Sequence, residues 1–535
     1  MKPPSGKSGS RPKPLASSSS ARHLLAFFAL FAIPLFAIHF GLLSLPFYWD
    51  ELGQFIPTAL DLLRTGAWVA HSTIPNVHPP GVEAYLVAWY KIFGFSVPVT
   101  RVAMLLLASA GLLLTFLLAI ELSRGTKGAP AFLPPLFLLA SPLFFTQSMM
   151  AQLDMPAMVF TLLALVLYLR GRFVSAAAAS VALVLAKETG LVVPAVFFVL
   201  LIIRGEWKRA LLFTAPAVAL AGWLLVLHKQ TGYWLGDPGF AHYNVAYSLA
   251  PVRMLASIVR RVYYLFLAEF RWVGTLTLVF AARRYKLFRN GSWQIVLMVS
   301  LATIVLVSVL GGAELERYLL PVLPVFYIAV AIALMHVPKR IAVVACTALL
   351  AGLIVNMFWN PPYPFPYENN LAMVDFVGLE EIGAIEAEHD LNGLRIATAW
   401  PYTAALRNPD YGYVQHPVTV VETNDFHASS IRAIPPADFD ALVTYTRTWA
   451  PENGVIAIPL VREFLSRFYE WEPDITPEEC AALGLREKIA WERRGQRVTI
   501  YVRDRIPSSR DTRHREQAGR GIAPRTSPRP PNISA

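Results

Sequence analysis

Tyr48-Trp49-Asp50-Glu51 follows the first long apolar stretch of the chain, residues 23–46. It opens a polar loop, residues 47–98, that also carries Asn76-Val77-His78-Pro79-Pro80. Because the apolar stretch is long enough to span a bilayer, we expect the two adjacent carboxylates to lie at a membrane face. Ionisable groups at that depth are costly unless they face protein or a water-filled cavity, so this pair predicts a functional site.

The composition is that of a membrane protein. The 535 residues are 55% hydrophobic and only 16% charged, and the mean hydropathy is +0.47, which excludes an ordinary soluble protein. The net charge of +11 does not indicate nucleic-acid binding, because Lys and Arg fall mainly in short connections and in the two tails. Cys346 lies inside a predicted span and Cys480 in the polar C-terminal part, so neither a disulfide nor a zinc site is expected.

Apolar segments recur along residues 23–358, which we predict to be a transmembrane domain of about 11 helices. The first segment is too long for a signal-peptide core and lacks a clear cleavage site, so we interpret it as a retained helix. The predicted spans are 23–46, 99–121, 130–146, 155–170, 174–187, 190–203, 210–228, 262–282, 293–311, 318–336 and 340–358.

The distribution of basic residues predicts the orientation of these spans. If the N-terminus is cytoplasmic, the inner connections hold most of the Lys and Arg, whereas loop 47–98 and the other outer loops hold few. The positive-inside rule then places that loop, and the chain after the last span, on the outer face.

Three segments outside the spans show helical spacing of apolar residues and are predicted to lie along the membrane interface. They are the runs from Leu52 to Leu63, from Val82 to Phe93 and from Pro251 to Arg261.

Residues 360–505 differ from the rest and predict a small extracytoplasmic α/β domain. Strands are expected at 395–399, 418–422 and 441–445, a helix at 461–469, and a hairpin joining 489–491 to 497–502. The two ends, residues 1–22 and 506–535, are basic and rich in Ser and Pro, and we expect disordered tails.

Further motifs follow the first loop in a distinctive order. They are Leu153-Asp154-Met155-Pro156, Ala186-Lys187-Glu188-Thr189-Gly190 and Arg317-Tyr318-Leu319-Leu320-Pro321. Together with Asp50-Glu51, His78-Pro79-Pro80-Gly81, Phe93-Gly94 and Arg101, this order resembles the ArnT-like and protein-O-mannosyltransferase branch of C-type glycosyltransferases. The resemblance covers about residues 23–340, and the C-terminal region carries no such signature.

The resemblance implies a multi-pass enzyme of the cell membrane, the inner membrane in bacteria. It would transfer a sugar from a polyprenyl-phosphate carrier to a lipid, glycan or protein acceptor of the cell envelope. In that reaction the acceptor hydroxyl loses a proton and the lipid phosphate leaves with growing negative charge. A carboxylate base is therefore needed beside cationic or metal partners.

The resemblance also assigns roles to particular residues. Asp50 is the expected base, Glu51 would orient it or join a metal site, and Asp154 would have a second catalytic or substrate role. The expected contacts of the carrier phosphate are His78, Lys187, Arg317 and Tyr318. Val77 stands where aminoarabinose transferases have an acid, and His78 where they have a Lys, so the requirement for a divalent metal stays open.

Structural interpretations of these residues remain open as well. Asp50 and Asp154 are suited to capping the helices that follow them. Lys187 and Arg317 are suited to extending towards the interface or pairing with acids. The available acids are Glu188, Glu314 and Glu316.

Other function classes are also compatible with a polytopic chain. A transporter is expected to show internal repeats and broken helices at mid-membrane, and the sequence shows no repeat. A membrane scaffold with an extracytoplasmic binding domain, and a ligase or polymerase acting on whole glycans, also remain open. Neither the sugar nor the acceptor is specified by the sequence.

Overall fold

The structure is a computed structural model and describes residues 18–124, 130–285, 287–310, 315–447, 449 and 454–503. Most of the predicted N-terminal tail, residues 1–17, and the predicted tail 506–535 lie outside the described residues. Residues 18–22, which we expected to be part of the tail, instead begin the first helix. Serine is favourable at a helix start, so the helix begins before the apolar run itself.

Up to residue 356, the described part of the chain is almost entirely helical. The helices are α1 Ser18–His39, α2 Ile56–Thr65, α3 Gly81–Phe93, α4 Val97–Leu122, α5 Leu133–Ala140, α6 Pro142–Gln147, α7 Asp154–Leu169, α8 Phe173–Ala186, α9 Val192–Ile203, α10 Trp207–Ala210, α11 Ala215–Thr231, α12 Pro238–Ala241, α13 Pro251–Phe266, α14 Arg271–Arg284, α15 Gly291–Val309, α16 Leu323–Leu334 and α17 Lys339–Asn356.

Every predicted span overlaps at least one of these helices, but not all of the helices are long. Within the described ranges, five helical stretches are long and apolar enough to cross a membrane, or six if α13 and α14 form one bent span. These helical stretches indicate a multi-pass membrane protein. The apolar helices α7, α8, α9 and α16 are shorter, so the predicted number of about 11 spans is not confirmed.

The predicted span 262–282 is not one helix. α13 ends at Phe266, α14 begins at Arg271, and the two are bent by 84°. Glu269 and Phe270 have left-handed φ angles of 52° and 61°. The buried Arg271 donates to the Glu269 carboxylate at 2.5 Å and to the Tyr264 carbonyl at 2.6 Å. The prediction of a continuous span is wrong here, because tertiary contacts stabilise a break inside an apolar sequence.

The C-terminal part has the predicted α/β character. Its strands are β1 Ile396–Ala399, β2 Val420–Thr423, β3 Ala441–Tyr445, β4 Leu485–Arg493 and β5 Gln496–Arg503. Its helices are α18 Ala372–Asp390, α19 Tyr402–Arg407, α20 Ala428–Ala433, α21 Pro459–Tyr469 and α22 Pro477–Ala482. Among the described residues, the strands form one sheet in the order β2-β1-β3-β5-β4.

The pairing within this sheet is mixed. β1 is parallel to β2 and β3, whereas β5 is antiparallel to β3 and β4. The predicted strands, the helix α21 and the hairpin β4–β5 are therefore confirmed.

The first loop and the C-terminal part pack on each other. The Tyr413 hydroxyl donates to the Phe47 carbonyl at 2.7 Å. The Trp400 ring lies against Gly53 so closely that a Cβ there would be 2.0 Å from the ring. The predicted helices of this loop, α2 and α3, are confirmed, and α2 buries Ile56 and Leu60. The loop that carries Asp50 is thus covered by protein from the C-terminal part.

Candidate active site

Charged side chains from distant parts of the sequence meet around Arg317. Among the described residues, the Arg317 guanidinium forms an ion pair with Asp50. Its Nε lies 3.1 Å from an Asp154 carboxylate oxygen, and its Nη1 donates a hydrogen bond to Glu368 at 2.8 Å. Nη1 also donates to the Gln152 side-chain oxygen at 2.6 Å. The Lys187 ammonium donates to the other Asp154 oxygen at 2.5 Å. We call Asp50, Asp154, Lys187, Arg317 and Glu368 the Arg317 cluster.

Helix ends place these residues at one end of the helical part. Asp154 is the first residue of α7, and Lys187 directly follows the last residue of α8 in an extended conformation. Arg317 lies in the turn Glu316–Leu319 before α16, and Glu368 in the turn Tyr367–Asn369 beyond α17. Groups at helix ends avoid the hydrocarbon core, which permits this density of charge in a membrane protein.

A cleft opens beside the cluster. Its polar end is formed by Asp154, Lys187 and Tyr318, and the Lys187 ammonium lies 4.1 Å from the centre of the Tyr318 ring. The remaining walls are mainly apolar and include Leu183, Val193, Val307 and Pro321. Such a cleft is suited to a ligand with an anionic head and an apolar tail.

Glu51 does not belong to the cluster. Its side chain is 0% exposed and pairs with Arg101, which is 1% exposed, at 2.5 Å. The backbone N–H groups of Ala151 and Tyr48 donate to the same carboxylate at 2.6 and 2.9 Å. This enclosed and fully paired position favours a structural role over the expected catalytic one.

His78 is also outside the cluster. Its Nδ1 lies 2.8 Å from a Glu188 carboxylate oxygen, and its ring packs between Phe55 and Phe240. It lines a second cleft together with the buried carboxyl of Glu83. The expected contact of His78 with the carrier phosphate therefore stays a prediction that this geometry does not favour.

The interpretation of Asp50 and Asp154 as helix caps finds little support among the described residues, whereas Lys187 and Arg317 do pair with acids, namely Asp50, Asp154 and Glu368. Asp50 makes no side-chain cap hydrogen bond, and Asp154 lies inside α7 rather than at its N-cap. Glu316 pairs with Arg260 at 2.7 Å instead of with Lys187 or Arg317. Glu314, the remaining acid proposed as a partner, lies outside the described residues.

Two members of the site were missed by the sequence analysis. Glu368 and Gln152 are both buried and both contact Arg317. Burial raises the pKa of the Glu368 carboxyl to about 7, against the opposing effect of Arg317. The available signal was the polar run Glu368-Asn369-Asn370 soon after the last apolar segment, which is entirely buried in the structure.

In the part of the chain that the structure describes, no group of three or more His, Cys, Asp or Glu is arranged to hold a metal ion. The metal requirement left open by the sequence stays open.

Comparison with solved structures relates this architecture to known proteins. ArnT from Cupriavidus metallidurans bound to undecaprenyl phosphate matches with a TM-score of 0.52 and 15% identity, covering 91% of this chain and 98% of that one. Its apo structure matches with a TM-score of 0.50 and 16% identity, covering 90% and 98%. The chain has the ArnT-like, C-type glycosyltransferase fold.

A further solved structure matches less closely. The oligosaccharyltransferase AglB from Archaeoglobus fulgidus, in complex with an inhibitory peptide and a dolichol-phosphate, has a TM-score of 0.47 and 11% identity, covering 92% of this chain and 76% of that one. Neither a family model nor a curated protein matches the sequence. The resemblance found in the sequence motifs is confirmed at the level of the fold.

Proposed function

We propose that the chain is an integral-membrane glycosyltransferase that moves a sugar from a polyprenyl-phosphate carrier to an acceptor of the cell envelope. The observation that carries this proposal is the Arg317 cluster beside its cleft. A carboxylate that can act as a base and two cations that can bind phosphate meet there. The transfer reaction requires both kinds of group at one place.

The shape of the cleft supports a lipid-linked donor. The cations Lys187 and Arg317 lie at or next to its polar end, and the apolar walls are suited to the first units of a polyprenyl chain. The ArnT structure that shares the fold holds undecaprenyl phosphate. This supports the same class of carrier for the present chain.

Asp50 is the best candidate for the base. Its side chain is 16% exposed, compared with 4% for Asp154, so an acceptor hydroxyl has better access to it. In the proposed step Asp50 takes the hydroxyl proton, the acceptor oxygen bonds to the anomeric carbon, and the bond from that carbon to the phosphate oxygen breaks. Arg317 and Lys187 then balance the charge of the leaving phosphate.

Asp154 has a different proposed role. It contacts both Lys187 and Arg317, one through each carboxylate oxygen, and therefore sets their separation. We assign it the positioning of the two phosphate-binding cations. Tyr318 contributes the ring over which Lys187 lies.

The proposed site faces the outer side of the membrane. The excess of Lys and Arg in the connections on the N-terminal side supports this orientation. Reporter fusions at Arg289 and Gly393 are expected to report opposite sides. Signals from the same side would overturn the orientation.

Mass spectrometry of envelope glycolipids, glycans and glycoproteins tests the function. Cells with and without the gene are compared, and the gene is restored as wild type, Asp50→Asn or the control Asp410→Asn at matched expression. Asp410 pairs with Arg64 on the surface. We expect a sugar to be lost from one envelope molecule, and to return with wild type and Asp410→Asn only.

The same comparison separates the rival classes. Full rescue by Asp50→Asn would eliminate Asp50 as the base, and full rescue by both Asp50→Asn and a further variant, Asp154→Asn, would favour a scaffold, since a scaffold does not need a base. An unchanged envelope in cells lacking the gene would contradict the glycosyltransferase and favour a transporter. The identity of the changed molecule would give the acceptor, and the lost mass the sugar.

A further inference from the structure

The charges in the Arg317 cluster do not balance. Within the described residues that contact one another there, three carboxylates share two cations, Lys187 and Arg317. The neighbouring ion pairs Arg101–Glu51 and Arg260–Glu316 are each neutral. Arg261 lies beyond the Tyr318 ring and donates to the carbonyls of Leu315 and Val307. A bound lipid phosphate would add one more negative charge beside Arg317.

Of the three carboxylates, Glu368 is the one whose ionised form is stabilised least by its surroundings. Asp154 has two cationic partners, and Asp50 is the most exposed to water of the three. Glu368 is buried and accepts hydrogen bonds from Arg317 and Gln152 through one oxygen, Oε2. Its other oxygen, Oε1, is buried without a hydrogen-bond partner in the described part of the protein. A buried carboxylate oxygen without a donor favours the neutral form of the group.

The backbone around Glu368 cannot easily move away from Arg317. The Thr146 hydroxyl donates to the Glu368 carbonyl. The Asn369 side chain donates to Glu316 at 3.0 Å, and the Asn370 side chain donates to the Trp359 carbonyl at 3.2 Å. An added anion therefore favours protonation of the Glu368 carboxylate over its movement away from Arg317.

We propose that Glu368 takes up a proton from solvent when a lipid phosphate binds at Arg317, so that donor binding is coupled to protonation of this buried carboxylate. The inference rests on the proposed function, because it requires a phosphate at the cluster. The phosphate competes with Glu368 for Arg317, and protonation removes the negative charge that Arg317 no longer balances.

The groups that act on Glu368 determine the sign of the pH effect. Burial raises the pKa of Glu368 to about 7, with Arg317 and the hydrogen bond from Gln152 opposing the shift and the carboxylates of Asp50 and Asp154 adding to it. Tyr48 also faces it, and burial keeps the pKa of that phenol well above 10, so it stays neutral. Below about pH 7 Glu368 is already protonated and binding costs no proton. As the pH rises above that value, binding must take up a proton and the affinity falls.

Isothermal titration calorimetry of the full chain in nanodiscs tests this coupling. The probe is the methyl ester of undecaprenyl phosphate, a phosphodiester that does not titrate in this range. Measurement in two buffers of different ionisation enthalpy gives the number of protons taken up. We expect wild type to take up roughly half a proton or more at about pH 7.5, and Glu368→Gln to take up none.

The affinities give a second readout. At about pH 6.5 wild type and Glu368→Gln should bind the probe nearly equally, because both carry a neutral group. At about pH 8.5 the variant should bind roughly 30-fold tighter, because it needs no proton. Glu368→Asp should restore the proton uptake. Glu380→Gln is the matched control, because Glu380 is a buried acid that contacts Tyr413 and whose pKa burial raises well above the usual range.

The possible failures are distinguishable. Equal proton uptake by wild type and Glu368→Gln would overturn the inference and leave the proposed function intact. Weaker binding by Glu368→Gln at every pH would also overturn it, since that is the result of a merely structural contact with Arg317. Absence of probe binding to wild type would remove both the inference and the proposed function. If Glu368→Gln does not fold, zero uptake by wild type alone overturns the inference.

Discussion

Asp50 and Glu51 are neighbours in the sequence but belong to two different ionic regions. Glu51 forms a pair with Arg101, in which each charge has one opposite charge and both side chains are almost fully buried. Asp50 joins a group in which Arg317 is shared with Asp154 and Glu368 and a cleft lies alongside. The first region is closed and neutral, whereas the second lies beside a cleft and has three carboxylates for two cations.

The difference shows how the same residue types serve two purposes. A balanced, fully hydrogen-bonded ion pair has no capacity for another charged partner. The Glu51–Arg101 pair therefore fixes the position of the first loop. A cation shared by several carboxylates can exchange one of them for a substrate phosphate. Under the proposed function, a phosphate at Arg317 would weaken the pairing of Arg317 with both Glu368 and Asp50, and the Asp50 carboxylate would then be free to accept a proton.

The largest effect is expected from Asp50→Asn. The substitution keeps size and removes basicity, so turnover in a transfer assay should fall by about 10²- to 10⁴-fold. Binding of the lipid phosphate should be kept or strengthened, because Arg317 loses one competing carboxylate. Transfer and donor binding are measured together for the variant, wild type and the surface control Asp410→Asn. Near-normal transfer would eliminate Asp50 as the base and move the assignment to Asp154.

Glu51→Ala should act on stability instead. It leaves the buried Arg101 without its partner, which costs about 3–5 kcal/mol in free energy of unfolding. The yield of folded protein and its unfolding midpoint in detergent measure the loss. The double variant Glu51→Leu/Arg101→Met removes both charges but leaves the backbone N–H groups of Ala151 and Tyr48 without an acceptor. It should therefore recover only part of the stability, while the folded fraction keeps its transfer activity. A stable double variant without activity would show that Glu51 takes part in the reaction.

A smaller effect is expected from a substitution at Tyr318, whose ring contacts Lys187 of the Arg317 cluster. Tyr318→Leu removes the ring over which Lys187 lies at 4.1 Å. A cation–π contact contributes about 0.5–2 kcal/mol, so KM for the donor should rise roughly 2- to 30-fold with kcat little changed. Tyr318→Phe keeps the ring and should behave as wild type. Equal defects in both variants would show that the hydroxyl, and not the ring, contacts the donor.

Much of the fold could be predicted because its signals are local. Apolar runs and alternation along residues 395–399 or 441–445 report directly on helices and strands. The break between α13 and α14 has no such signal, since Arg271 is held there by Glu269 and by the Tyr327 hydroxyl from α16. Only tertiary contacts show that an apolar stretch bends at that point.

Only the site residues that stand in recognisable sequence motifs could be predicted. Asp50, Asp154, Lys187 and Arg317 stand in ordered motifs at helix ends, and the structure brings them together. The sequence could not distinguish the surroundings of Asp50 from those of Glu51, because adjacent side chains can enter different environments. Glu368 lies beyond the motif-bearing region, and no periodic pattern surrounds it.

The contact between Glu368 and Arg317, like that between Trp400 and Gly53, has a consequence for biosynthesis. Residue 50 leaves the ribosome more than three hundred residues before residue 368. The first loop therefore waits, without its final partners, until the last apolar helix has been inserted and the sheet behind it has folded. A truncated or stalled chain can therefore be embedded in the bilayer and still lack the contacts of Arg317 with Glu368 and of Gly53 with Trp400.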